Sequence, residues 1–175
     1  GFFISKQQLF NRKTITLFLI ISLLLLFYQY FFSGGAAPVR AHSIGYKQLI
    51  TAIPLCAGWL IIEVGLVEEF FFRALLQSRV TVLLKSPIAG IVMSGLIFGL
   101  AHAPGLYLRG AGSEGIEEQL PFAFWACYTI WAMSLAGIFL GIIWHKTRNI
   151  YLVIGLHAVM DLLPNIAEFI QTWHL

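Results

Sequence analysis

From Thr14 to Phe32 the chain runs TITLFLIISLLLLFYQYFF without one Asp, Glu, Lys, Arg or His. A run of that length suits one passage through a bilayer, which takes roughly 20 helical residues. Further apolar stretches of similar length follow it. Of the 175 residues, 59% are hydrophobic, 15% aromatic and only 11% charged, where soluble domains carry about 25% charged residues. With a mean hydropathy of +0.84, the chain is expected to be an integral membrane protein. Its net charge of +3 is spread along the chain rather than gathered on one basic face, so nucleic acid is set aside as a partner.

The first span ends at SGGAAPVRAHS, whose Gly, Ser and Pro punctuate rather than extend a helix. A second apolar stretch covers Ile50 to Leu84 and is interrupted by Pro54. Three more cover Pro87 to Tyr107, Pro121 to His145 and Asn149 to Leu163, separated by the acidic loop RGAGSEGIEEQ and the turn HKTRN. The expected fold is all-α, a polytopic membrane helical bundle with about five transmembrane helices. Residues 1–46 are expected to form an N-terminal transmembrane helix and loop, and 47–175 a bundle carrying the chemistry. A cleavable signal peptide over Lys6 to Ala41 is disfavoured, because the apolar run exceeds the usual 7–15-residue core. Cys56 and Cys127 lack any CxxC or Cys/His ligand spacing and read as small buried hydrophobes.

Basic residues near span ends predict orientation, because cytoplasmic flanks carry the excess. Lys6, Arg12, Lys13 and Arg79 fall on one side with Lys85, Lys146 and Arg148; Arg40, Lys47 and Arg109 fall on the other. The N-terminus is expected in the cytoplasm, and the acidic loop and C-terminus outside. Gly95 with Gly99, and Gly137 with Gly141, give the small-residue spacing that lets helices approach closely in lipid.

Inside these spans lie groups that are costly to place there, about 2.5–3.5 kcal/mol for each Asp, Lys or Arg at a helix centre on insertion scales. VEEFFFR, residues 67–73, holds three of them. Glu69 and Arg73 are four apart, carboxylate first, which on a helix is the favourable order for an ion pair. Glu68 is turned about 100° from Glu69 and is left as the candidate base. His157 and Asp161 share a helix face at the same spacing, so the carboxylate can fix the imidazole or both can bind one ligand. His102 follows Phe98 by four and is flanked by alanines and Pro104-Gly105, leaving room for a substrate backbone. His145 falls at a helix end and reads as interfacial.

Depth separates two placements of the second helix. Starting at Gly58 on the outer side puts Glu68 about 15 Å deep, near the level of His102, His157 and Asp161. Starting near Lys47 puts it close to the inner face. Ile50 to Ala57 are therefore expected to be interfacial or re-entrant, with the polar cluster opening toward the outer half of the membrane.

In order, EEFFFR, FGLAH and HAVMD resemble the EExxxR, FxxxH and HxxxN/D motifs of the CPBP family, the CAAX-protease and bacteriocin-processing intramembrane proteases. The resemblance covers roughly Gly58 to Pro164. HAPGLYLRG is also similar to the glutamic-type branch linked to bacterial C-terminal sorting signals. The resemblance implies peptide-bond hydrolysis within a bacterial inner membrane, on a membrane-anchored protein or peptide. It implies that Glu68 and His102 activate a water, that His157 and Asp161 face the developing oxyanion, and that Glu69, Arg73 and Phe98 support the architecture. Low-dielectric surroundings make a carboxylate a stronger base, which suits this work. Asp161 stands where Asn would be a ready donor; orienting His157 is the role expected of it. No cofactor is expected, although Glu68, His102, His157 and Asp161 are donors that a divalent metal such as zinc accepts. HExxH spacing is absent.

Four alternatives compete: a CAAX-type prenyl-protein endopeptidase, a non-catalytic bacteriocin-immunity or peptide-binding membrane protein, a proton-coupled transporter, and polar residues serving only as glue between helices. Intramembrane carboxylates and histidines also suit a transporter, but five spans without internal repeats argue against one. An outward-opening site favours a C-terminal membrane anchor as substrate over a prenylated tail arriving from the cytoplasm. Oligomeric state is not legible.

Overall fold

The computed structural model describes residues 11–110 and 118–175. Lys6 and residues 111–117 of the acidic loop, used above for topology, lie outside them. Five long helices carry the chain: α1 Arg12–Phe32, α2 Tyr46–Leu83, α3 Pro87–Arg109, α4 Phe122–Thr147 and α5 Ile150–Trp173. Each is long and apolar enough to cross a membrane, and among the described residues every element is helical. The protein is all-α and polytopic.

Local chemistry sets several helix ends. Asn11 Oδ1 accepts from Thr14 N at 2.8 Å and opens α1. At the other end, Arg40 Nη1 donates to Tyr30 O at 2.7 Å and Ser33 O at 2.8 Å, satisfying carbonyls that the helix leaves open. Ser86 caps α3 ahead of Pro87, in the first-turn position proline tolerates. Arg148 stops α4 in the left-handed region at φ 51°.

Two prolines behave differently from expectation. The re-entrant break at Ile50–Ala57 is not present: helix runs unbroken from Tyr46 through Pro54 to Leu83, so the Gly58 start on which an outward-opening cluster was expected is not found. Likewise α5 does not stop at Leu163 but passes Pro164 and continues to Trp173. Within lipid a helix is the backbone's own source of hydrogen bonds, so an interior proline is accommodated when neighbouring groups satisfy the freed atoms. In α5, Asn165 Nδ2 donates to Asp161 O at 2.7 Å, the carbonyl next to Met160 O, which Pro164 leaves without its helix donor.

The chain divides into two compact units, one of residues 1–68 with 151–175 and one of residues 69–150. In the first, α1, the N-terminal part of α2 and α5 meet, and Ala52, Cys56 and Leu60 pack with Ala158, Leu162, Ile166, Phe169 and Ile170. In the second, the C-terminal part of α2 packs with α3 and α4. There a Cβ on Gly137 would lie 3.0 Å from Gly95 Cα, so the glycine spacing does bring backbones together as lipid packing favours. Cys56 is buried as expected, whereas Cys127 is exposed on α4; both are free thiols.

Candidate active site

Helix α2 is not regular around its two adjacent glutamates. Leu60–Gly65 and Phe70–Gln77 are π-helical, and between them one α-turn, Leu66–Glu69, carries both glutamates. Wide π turns are rare and tend to occur at functional sites. Ser78 Oγ, just past the second of them, donates back into it to Arg73 O at 3.0 Å. The three phenylalanines of the motif divide accordingly: Phe70 and Phe71 are exposed and Phe72 is buried.

In the unit of residues 1–68 and 151–175, the structure brings together Glu68, His157 and Asp161. His157 Nε2 lies 3.3 Å from Asp161 Oδ2 and 3.9 Å from Glu68 Oε2. The imidazole is nearly enclosed at 6% side-chain exposure, while Glu68 and Asp161 retain 27% and 34%. Glu68 and Asp161 thus flank the same ring nitrogen, and each keeps an accessible edge. A backbone approach makes this possible. A Cβ on Gly65 would lie 3.1 Å from Ile154 O, so α2 and α5 touch here through a residue without a side chain. Glu68 follows Gly65 by three residues and His157 follows Ile154 by three, so each side chain arises one turn beyond the contact. Gly65 was not singled out from the sequence; its place three residues before the glutamates was the available signal.

In the unit of residues 69–150, Glu69 and Arg73 are both fully buried and form a two-point pair. Arg73 Nε donates to Glu69 Oε2 at 2.6 Å and Nη2 to Oε1 at 3.2 Å. Phe98 links this pair to His102. The Arg73 guanidinium sits 5.0 Å from the Phe98 ring centroid, a cation–π contact, and the His102 ring lies 4.7 Å from Phe98 on the other helical turn. Phe72 meets Phe98 edge-on at 5.0 Å. His102 Nδ1 lies 2.7 Å from Phe98 O; a carbonyl only accepts, so Nδ1 carries the proton and, in the neutral ring, Nε2 is the basic nitrogen. Leu84–Ser86 join α2 to α3 closely.

Gln77 also fixes this unit, its Nε2 donating to Gly141 O at 2.9 Å from a buried side chain. Sequence reading passed over it, because a glutamine near a helix end gives no signal until its partner is known. Among the described residues, no group of three or more His, Cys, Asp or Glu side chains could hold a metal ion. No step below passes through a metal.

Fold and site define a polytopic membrane protein whose spanning helices hold acid, base and imidazole groups. The model of the Rce1-like family, type II CAAX prenyl endopeptidases, matches residues 48–163, about two-thirds of the chain. The chain belongs to that family. It is accordingly an integral membrane protein of an endopeptidase family whose substrates are membrane-embedded proteins. No curated protein and no solved structure matches it.

Proposed function

We propose that this chain is a glutamic-type intramembrane endopeptidase that cleaves membrane-anchored proteins near their C-terminus. The observation that carries the reading is the set Glu68, His157 and Asp161, two partly accessible carboxylates around one enclosed imidazole. Glu68 takes a proton from water as the water oxygen bonds to the scissile carbonyl carbon. The oxyanion then collapses, the C–N bond breaks and the proton passes to the leaving amine. His102, with Nε2 as its basic nitrogen, is the second group that the family resemblance assigns to activating the water. Asp161 orients His157 toward the oxyanion, where a single well-placed donor contributes about 2.7–4 kcal/mol. Glu69, Arg73 and Phe98 hold the helices and His102.

The substrate proposed is a C-terminal sorting or anchor segment of a protein in a bacterial inner membrane. The N-terminus would be cytoplasmic and the C-terminus outside, as the basic flanks argue. The family match favours a second reading, a prenylated CAAX tail presented from the cytoplasm.

Purified protein in detergent is offered two peptide sets, one ending in a hydrophobic anchor and one ending in a prenylated CAAX tail. The first reading expects cleavage of the anchor set by wild type and none by Glu68→Ala. Cleavage confined to the prenylated set replaces the substrate, and cleavage surviving in Glu68→Ala removes the base. Turnover undiminished by a chelator is expected for water activated without metal.

A further inference from the structure

Helix α1 lies outside the residues that the family model matches, and its surface is mostly exposed apolar side chain. It nevertheless buries a glutamine. Gln29 is 4% exposed, and both ends of its carboxamide are bound to the backbone of α5. Nε2 donates to Val159 O at 2.8 Å, and Oε1 accepts from Leu163 N at 3.2 Å. Val159 O and Leu163 N–H are the acceptor and donor of one i→i−4 step in a regular helix. The side chain of one helix therefore binds both halves of a backbone step in another.

The place of this contact is as informative as its geometry. Pro164 follows at once, lacks an N–H, and crowds the carbonyl four residues earlier, so the hydrogen-bond ladder of α5 is weakest here. Asp161 lies within the bridged step and His157 two residues before it. Two more close approaches join the same parts of the chain. A Cβ on Gly155 would lie 3.0 Å from Phe18 Cε2, and one on Gly35 2.6 Å from Pro164 Cα. Helix α1 and the turn that follows it thus meet α5 on either side of the carboxamide. A buried amide in an apolar face is costly unless satisfied, and here both of its ends are satisfied by the helix bearing two candidate catalytic groups.

We propose that Gln29 is a positioning residue for the Asp161–His157 pair: its carboxamide bridges Val159 and Leu163 and fixes the turn of α5 from which Asp161 projects. The proposal rests on the reading of Glu68, His157 and Asp161 as the reacting groups. The N-terminal helix is then part of the working site rather than an anchor alone, and a chain trimmed to the family-matched residues is an impaired enzyme.

Three variants test this in the full chain in detergent, with kcat and KM on a membrane-anchored peptide and amide hydrogen exchange over residues 159–163. Gln29→Leu keeps volume and loses both hydrogen bonds; Gln29→Glu keeps an acceptor for Leu163 N–H. Phe18→Ala loosens the same helix contact without touching the carboxamide. The expectation for Gln29→Leu is a kcat lower by on the order of 10-fold or more, since small misplacements near a site are costly, with KM within about twofold. Exchange over 159–163 is expected to quicken, with Gln29→Glu intermediate and Phe18→Ala near wild type in kcat. Should Gln29→Leu not fold, Gln29→Glu against Phe18→Ala makes the same comparison. A wild-type kcat in Gln29→Leu, or an equal loss in Phe18→Ala, overturns the proposal. The exchange measurement does not depend on which group is the base. If Glu68→Ala cleaves normally, the catalytic reading fails, and unchanged exchange in Gln29→Leu is what would remove the bridge itself.

Discussion

Glu68 and Glu69 are neighbours in sequence, alike in chemistry and opposite in circumstance. Glu69 is closed off completely and held at two points by Arg73, while Glu68 keeps a quarter of its side chain accessible and stands 3.9 Å from His157. One residue of helical rotation makes the difference, about 100°. It teaches how a membrane helix can hold a closed ion pair and a partly accessible carboxylate in adjacent positions. The same division recurs among the histidines, where His157 is placed by a carboxylate and His102 by a main-chain carbonyl and an aromatic ring.

Substitutions can break this contrast. The largest effect expected, apart from loss of Glu68 itself, is in His102→Ala, whose cleavage rate should fall by about 10²–10⁴-fold, the usual worth of a group that moves protons. Its melting behaviour should stay close to that of the wild type. Arg73→Ala should fail in the opposite sense. Leaving Glu69 buried without its partner costs about 3–5 kcal/mol, so thermal denaturation in detergent should show a destabilised protein. The double replacement Glu69→Leu with Arg73→Met should recover much of that loss. A destabilised double variant as poor as Arg73→Ala alone would mean that the pair does more than neutralise itself.

Gly65→Ala probes the contact rather than the charges. Its Cβ would press on Ile154 O, and parting α2 from α5 by a few tenths of an ångström should lower kcat by on the order of 10-fold with little change in stability. Smallest of all is Cys127→Ala on the exposed side of α4, expected within about 0.5 kcal/mol of wild type in a denaturation series and unchanged in cleavage.

Much of this was legible from the chain. Apolar runs of bilayer length located the five helices, because lipid leaves the backbone few other choices. The i,i+4 spacings foretold both the Glu69–Arg73 and the His157–Asp161 contacts. What escaped sequence reasoning depended on partners far away in the chain. Pro54 read as an interruption, although the helix carries through it, and nothing near Val159 and Leu163 in sequence tells that Gln29 will bind them. The π turns on either side of Leu66–Glu69 shift the helical phase without any residue type announcing them. Gly65 could be recognised as a contact point only once Ile154 was seen against it. Cys127 lies in apolar sequence, which marks a membrane helix but not which of its faces meets lipid.

The contrast between the two glutamates is tested most directly by Glu68→Gln and Glu69→Gln, purified alike and compared for cleavage of a membrane-anchored peptide and for thermal stability. The expectation is a folded, inactive Glu68→Gln protein with a melting temperature near wild type, and a Glu69→Gln protein whose chief defect is lowered stability. Cleavage by Glu68→Gln at the wild-type rate, or a stable and inactive Glu69→Gln protein, would contradict the division of roles drawn here.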